Sequence, residues 1–188
     1  MQEFGIVYLL PDEVSVYHRS LRHKIEDAFN LVGHHDLHAP SHITLKYRFQ
    51  ALNIHEIDHT LETFSLSQAK TKWNIKGFNF FQNAGAFVLF MDVVPSIAAR
   101  QAHNQLLEAL KQLDWMQWSP FDNATLHYHI TLAHQGLNSQ NFDKVWSFLG
   151  QIDTPDFELF FDNVALLQIN EGVHTVCKKY WLSNDTIN

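Results

Sequence analysis

The sequence predicts an α+β fold of two similar halves, with two mostly antiparallel sheets and flanking helices. Three observations carry this reading. The tetrapeptide His-Ile-Thr-Leu stands at 42–45 and again at 129–132, a separation of 129 − 42 = 87 in a chain of 188 residues. An Asn-x-Gly turn repeats at the same spacing of 87, at Asn83-Ala84-Gly85 and Asn170-Glu171-Gly172. Between these landmarks, apolar stripes at helical spacing alternate with strand-like runs, as a duplicated unit requires.

The elements follow in order. A strand is expected at 4–10, then a helix at 12–31 opened by Pro11-Asp12-Glu13. Proline suits a first helical turn, and acidic residues there suit the helix dipole. Val14, Tyr17, Leu21, Ile25 and Phe29 form its buried stripe. The motif strand is expected at 42–49, then a helix at 53–67 capped by Asn53, with Ile54, Ile57 and Leu61 facing inward. Strands at 72–82 and 85–94 form a hairpin around the Asn-x-Gly turn. The second half repeats the order. A helix at 95–113, opened by Pro95-Ser96, buries Ala98, Ala102, Leu106, Leu110 and Leu113. The second motif strand is expected at 127–134, and a helix at 139–149 capped by Ser139 buries Phe142, Val145 and Leu149. Strands at 157–169 and 173–182 close the chain, the first with a break near Asp162-Asn163. The chain is read as one domain over 1–188, with repeat units near 12–94 and 95–182.

The motif itself has physical content. Ile and Thr are β-branched and favour strands, where residues i and i+2 share a face. His42 and Thr44 then point one way, and Ile43 and Leu45 point into a core. The same holds for His129 and Thr131 against Ile130 and Leu132. A duplicated His/Thr pair can build one two-sided site between two half-domains.

Composition narrows the function classes. The net charge is −7, from 13 Lys+Arg and 20 Asp+Glu. Extended nucleic acid is held mostly by phosphate neutralisation, so an acidic chain fits a small nucleotide or an RNA end better than a long RNA track. No apolar run has the length needed to cross a bilayer, and the start Met1-Gln2-Glu3-Phe4 lacks the basic region of a secretory signal. Cys177 is the only cysteine. No internal disulfide can form, which fits a cytoplasmic location, and Cys177 itself is read as a packed core thiol.

Of the 13 histidines, His18, His23, His55, His59 and His103 sit on helical patterns beside polar residues and are read as solvated. His34, His35 and His38 cluster ahead of the first motif, and His127 shares a strand face with His129. Such clustering raises a metal site as a rival, but no zinc-type ligand spacing is present, and none is expected to be used. Tyr47, Tyr128 and the loop Trp115-Met116-Gln117-Trp118-Ser119-Pro120-Phe121 are the candidates for stacking on a base.

Two His-aliphatic-Thr-aliphatic motifs about half a chain apart in a duplicated α+β chain resemble the 2H phosphoesterase superfamily. Within it the chain resembles the bacterial LigT-like, or 2′-5′ RNA ligase, branch, over essentially its whole length. His42-Ile43-Thr44-Leu45-Lys46-Tyr47 matches the first motif, in which a basic residue and an aromatic follow. His129-Ile130-Thr131-Leu132-Ala133 matches the second. The branch often has arginine next, where this chain has His134. The resemblance implies a bilobal fold with a pseudo-twofold axis and both motifs in a central cleft. It also implies cofactor-free and metal-free hydrolysis of a 2′,3′-cyclic phosphate, at an RNA end or a small nucleotide, to a 2′-phosphomonoester. Reversible 2′-5′ ligation is a related activity.

The residues fit that chemistry. Two imidazoles with ordinary pKa near 6.5 can hold opposite protonation states at neutral pH, one as base and one as acid. Thr44 and Thr131 can donate to phosphoryl oxygens. Lys46, on the face of His42 and Thr44, can add charge, and Tyr47, Tyr128, His127 and His134 complete the expected substrate contacts. Family analogy leans to His129 as base and His42 as acid. Two other classes stay open: a nucleotide-binding module without turnover, and a histidine-ligated metallohydrolase.

Overall fold

The chain, seen in a computed structural model, is described over residues 1–187 apart from 34, 35, 37 and 124. Its elements are β1 (Gln2–Leu9), α1 (Asp12–Phe29), β2 (His42–Ala51), α2 (His55–Ser67), β3 (Ala69–Asn83), β4 (Ala86–Pro95), α3 (Ile97–Leu110), β5 (His129–Ala133), α4 (Phe142–Leu149), β6 (Asp156–Phe161), β7 (Asn163–Asn170), β8 (Val173–Trp181) and β9 (Ser183–Ile187). The α+β class is as expected. One sheet has the order β2-β1-β7-β8, and the other β5-β4-β3-β6. All these pairings are antiparallel; β9, which the pattern does not predict, pairs parallel to β3. Each sheet mixes the sequence units: the first motif strand shares a sheet with the second hairpin, and the second motif strand with the first.

Both hairpins turn on two residues at positive φ, Ala84 (47°) with Gly85 (87°) and Glu171 (49°) with Gly172 (83°). Two left-handed residues give a turn whose twist matches the flanking strands. Helix ends differ from expectation where side chains settle them. Asn30, at φ 55°, stops α1 two residues early and donates its N–H to the Glu26 carbonyl at 2.7 Å. Ser96 caps α3 by accepting from the Ala99 N–H at 3.1 Å. Ser139 does not cap α4. There Asn138 and Asn141 form a turn, with both side-chain amides on the Gly136 carbonyl, and the helix starts at Phe142. Asn53 accepts from the His55 N–H at 3.1 Å, one residue ahead of the cap position of α2.

The main core joins one face of each sheet to the helices. Phe4, Ile6, Tyr8, Leu166, Ile43 and Leu45 enter it from the first sheet, and Leu89, Met91, Ile130 and Leu132 from the second. Trp73 sits inside it, within 6.0 Å of the rings of Tyr8, Tyr128 and Phe161. The opposite face of the first sheet holds a small cluster, Val7, Ala165 and Leu167 with Leu9. Cys177 corrects the core-thiol reading. It is exposed, because β8 is an edge strand whose Val173 and Val176 also face solvent. No helix among the described residues is long and apolar enough to cross a membrane.

Candidate active site

Strand register decides which side chains meet. Leu9 pairs with His42 and Val7 with Thr44, so the motif pair lies on the face of the small apolar cluster, away from the main core. In the second sheet, Asp92 pairs with His129 and Phe90 with Thr131. All four motif side chains are half-buried. The field of His129 reaches His42.

The two motif rings are held alike. His42 Nδ1 is 2.7 Å from the Pro40 carbonyl, and His129 Nδ1 is 2.9 Å from the His127 carbonyl, two residues upstream in each case. A carbonyl only accepts, so Nδ1 carries the hydrogen in both rings. Among the described residues neither Nε2 has a hydrogen-bond partner, which leaves both for proton transfer.

Their surroundings differ in charge. Burial pushes His42 down to about 4; the Pro40 hydrogen bond opposes this, and the positive fields of His174, Arg22 and His129 add to it. Burial also lowers His129, with the His127 carbonyl opposing, His127 lowering and the Asp92 carboxylate raising. His127 Nε2 lies 2.7 Å from Asp92 Oδ1. Phe81 and Phe90 wall this side, with ring centroids 5.0 and 5.1 Å from that of His129.

Below the motifs, two buried histidines brace the halves. His18 on α1 makes a 2.8 Å bond to Ser41 Oγ and reaches the Thr131 carbonyl at 2.9 Å with Nε2. His103 on α3 makes a 2.6 Å bond to the Tyr128 hydroxyl and reaches the Leu45 carbonyl at 2.6 Å with Nε2. Each therefore ties the residue before one motif to the backbone of the other. The carbonyls fix Nε2–H in both rings, so each Nδ1 accepts from the hydroxyl. Burial lowers both, His18 to about 3, against the raising effect of their carbonyl hydrogen bonds. These two histidines are not solvated as expected. The sequence held a faint signal: 103 − 18 = 85, close to the repeat, and Ser41 and Tyr128 are 87 apart. His23, His55 and His59 are exposed as expected.

Other expected site residues are redistributed. Between Val7↔Thr44 and Ile6↔Lys46, β2 carries one extra residue, a bulge that moves Lys46 onto the Ile6 face. Lys46 is fully buried, 2.9 Å from Asp122 Oδ2 and 2.7 Å from the Gln117 carbonyl. It pins the loop before the second motif and is not available to a ligand. Tyr128 is likewise buried, against Trp73 and His103, and offers no stacking face. Tyr47 is exposed and packs on exposed Phe121, 5.5 Å between centroids. Trp115 donates to Glu56, and Trp118 lies under Lys46 and Lys111, so both are engaged by the fold. His134 lies 3.8 Å from Asp36, on the side of the first motif. His34 and His35 lie outside the described residues.

Sequence reasoning also missed Arg22, Asp92, Phe81, Phe90 and His174. His174 packs edge-on against His42, centroids 5.9 Å apart. Among the described residues, no group of three or more His, Cys, Asp or Glu side chains is placed to hold a metal. Two surface cavities, about 310 Å³ beside the β7–β8 turn and about 390 Å³ between α2 and α3, contain no motif residue.

The family model described as 2′-5′ RNA ligase superfamily matches residues 10–173. Among solved structures, the Thermus thermophilus protein TT0787 superimposes with a TM-score of 0.69 at 17% identity, covering 97% of this chain and 98% of that one. Escherichia coli LigT complexed with 3′-AMP gives 0.59 at 17% identity, covering 97% and 99%. LigT complexed with NADP+ gives 0.60 at 14% identity, covering 97% and 98%. No curated protein matches by sequence.

Proposed function

The chain belongs to the 2′-5′ RNA ligase superfamily, and we propose that it is a metal-independent phosphodiesterase that opens a 2′,3′-cyclic phosphate to a 2′-phosphomonoester. The observation that carries this is the matched pair of imidazoles, each fixed through Nδ1 and each presenting Nε2. In-line hydrolysis needs that arrangement, a base for water on one side of phosphorus and an acid for the leaving oxygen on the other.

The charge environments favour assignments opposite to the family analogy. Burial and the Arg22 cation favour neutral His42, so it serves as base. Burial lowers both rings, but Asp92 partly offsets it at His129 and, among the described residues, no carboxylate does so at His42, so His129 is the ring that serves as acid. His42 Nε2 takes a proton from water as its oxygen bonds to phosphorus. The bond from phosphorus to the 3′ oxygen breaks, and His129 Nε2 gives that oxygen its proton. Thr44 and Thr131 donate to the phosphoryl oxygens as charge builds. His127, bonded to Asp92, supports the acid side, and Tyr47 with Phe121 offers an exposed face for a base. The ligands of the LigT structures, 3′-AMP and NADP+, are consistent with a nucleotide as substrate.

A product-resolved screen of 2′,3′-cyclic nucleotides and of oligonucleotides ending in cyclic phosphate tests the proposal. Turnover to 2′-phosphate is expected, with His42→Ala and His129→Ala each slower by about 10²–10⁴. Binding without turnover would make the chain a nucleotide-binding module. Near-normal turnover in either variant would end the two-histidine mechanism.

A further inference from the structure

Helix α1 carries a buried cation, Arg22, that no carboxylate pairs among the described residues. Arg22 lies one turn beyond His18, on the same helical face, and His18 already touches the Thr131 carbonyl. Arg22 is only 6% exposed, and its Nε has no hydrogen-bond partner among the described residues. Burying a guanidinium nitrogen without a partner is costly, so this Nε–H points to an acceptor that the protein alone does not supply. Asp36 is the carboxylate whose field reaches Arg22. That carboxylate accepts from Gln135 Nε2 at 2.9 Å and faces His134 at 3.8 Å, and it makes no ion pair with Arg22 among the described residues.

A second unsatisfied group stands nearby. Both ring nitrogens of His174 are shielded from solvent and unpartnered among the described residues, while its ring packs on His42. The field of Arg22 reaches His18, His42 and His174, whereas the charges acting on His129 are those of His127 and Asp92. Arg22 and His174 thus lie together on the His42 flank. Neither of them gives or takes the proton in the proposed hydrolysis.

We infer that Arg22 and His174 form an anion subsite on the His42 flank of the cleft that takes a phosphate group. A guanidinium fork and an imidazole N–H match phosphate oxygens. The phosphate can be the scissile group or a second phosphate on the same nucleotide. Only the identity of the ligand rests on the phosphodiesterase reading.

Calorimetric titration of the full chain with inorganic phosphate tests the subsite without any turnover. Arg22→Gln and His174→Asn are each expected to weaken phosphate binding by about tenfold or more, the loss for a charge-assisted hydrogen bond. Arg22→Lys, which keeps the charge without the fork, should weaken it less. Should Arg22→Gln fail to fold, Arg22→Lys and His174→Asn carry the test. Unchanged affinity in the folded variants overturns the inference. Kinetics on 2′,3′-cyclic AMP and on its 5′-phosphorylated form separate the two sources. A defect on both substrates marks the scissile phosphate, and a raised KM on the 5′-phosphorylated form alone marks a second one. Arg22-dependent phosphate binding in a chain that turns over no cyclic phosphate would refute the phosphodiesterase reading and leave the subsite standing.

Discussion

Lowering the pH from 7.5 to 5.0 should destabilise the fold through its buried histidines, His18 foremost. The His18 ring is 2% exposed, and burial pushes it down to about 3 from the ordinary 6.5. Between those values the unfolded chain binds a proton that the folded chain refuses. Stability is therefore full above pH 6.5 and falls as pH drops toward 3. At pH 5.0 the unfolded group has gained 1.5 pH units of protonation, worth about 2 kcal/mol at 1.36 kcal/mol per unit. His42 and His103, also lowered, act with the same sign. Against the 5–15 kcal/mol typical of a domain, about 2 kcal/mol from one ring is readily measured. The assay is urea unfolding at both pH values, for the natural chain and for His18→Gln. Glutamine keeps a donor and an acceptor but does not titrate near pH 5. The variant should lose about 2 kcal/mol less between the two pH values. An identical loss in both proteins would refute a neutral buried His18.

Asp122→Ala should cost about 3–5 kcal/mol in urea unfolding, because it strands the fully buried Lys46 ammonium; a cost under about 1 kcal/mol, the surface-pair range, would mean that Lys46 is solvated. Tyr128→Phe removes the donor to His103 Nδ1 and should cost about 1–3 kcal/mol by the same measurement. The pH profile of kcat/KM should be a bell centred below 6.5. It should rise as His42 loses its proton near its depressed value of about 4 and fall as His129 loses its own. Bound phosphate favours both charged rings, so the kcat profile should lie at higher pH; a kcat/KM optimum above pH 8 would contradict the assigned protonation states. Activity should survive EDTA, whereas loss restored by zinc or manganese would indicate a metallohydrolase.

Much of this protein is legible along the chain. The two motifs, the helices between them and both hairpins follow from local rules: β-branched alternation, 3.6-residue stripes and an Asn-x-Gly turn. Those rules act within a few residues, so sequence periodicity reports them. The side-chain faces of His42 with Thr44, and of His129 with Thr131, follow from the same alternation. Lys46 shows where this reasoning stops. The bulge that turns it inward arises from pairing with β1, some forty residues away, and no local pattern encodes it. His18 and His103 look like solvated helix positions, since each sits among polar neighbours. Only the packing of α1 and α3 beneath the opposite motif turns them into buried braces. Cys177 errs the other way: its apolar run is real, but β8 has no neighbour on one side. Arg22 and His174 are 152 residues apart, 174 − 22, and meet at His42 only once the second hairpin joins the first motif's sheet. Sequence alone determined the elements and the repeated chemistry, because both are encoded by near neighbours. Tertiary structure decided which charges are buried, paired or left open, because burial depends on contacts between segments far apart in the chain.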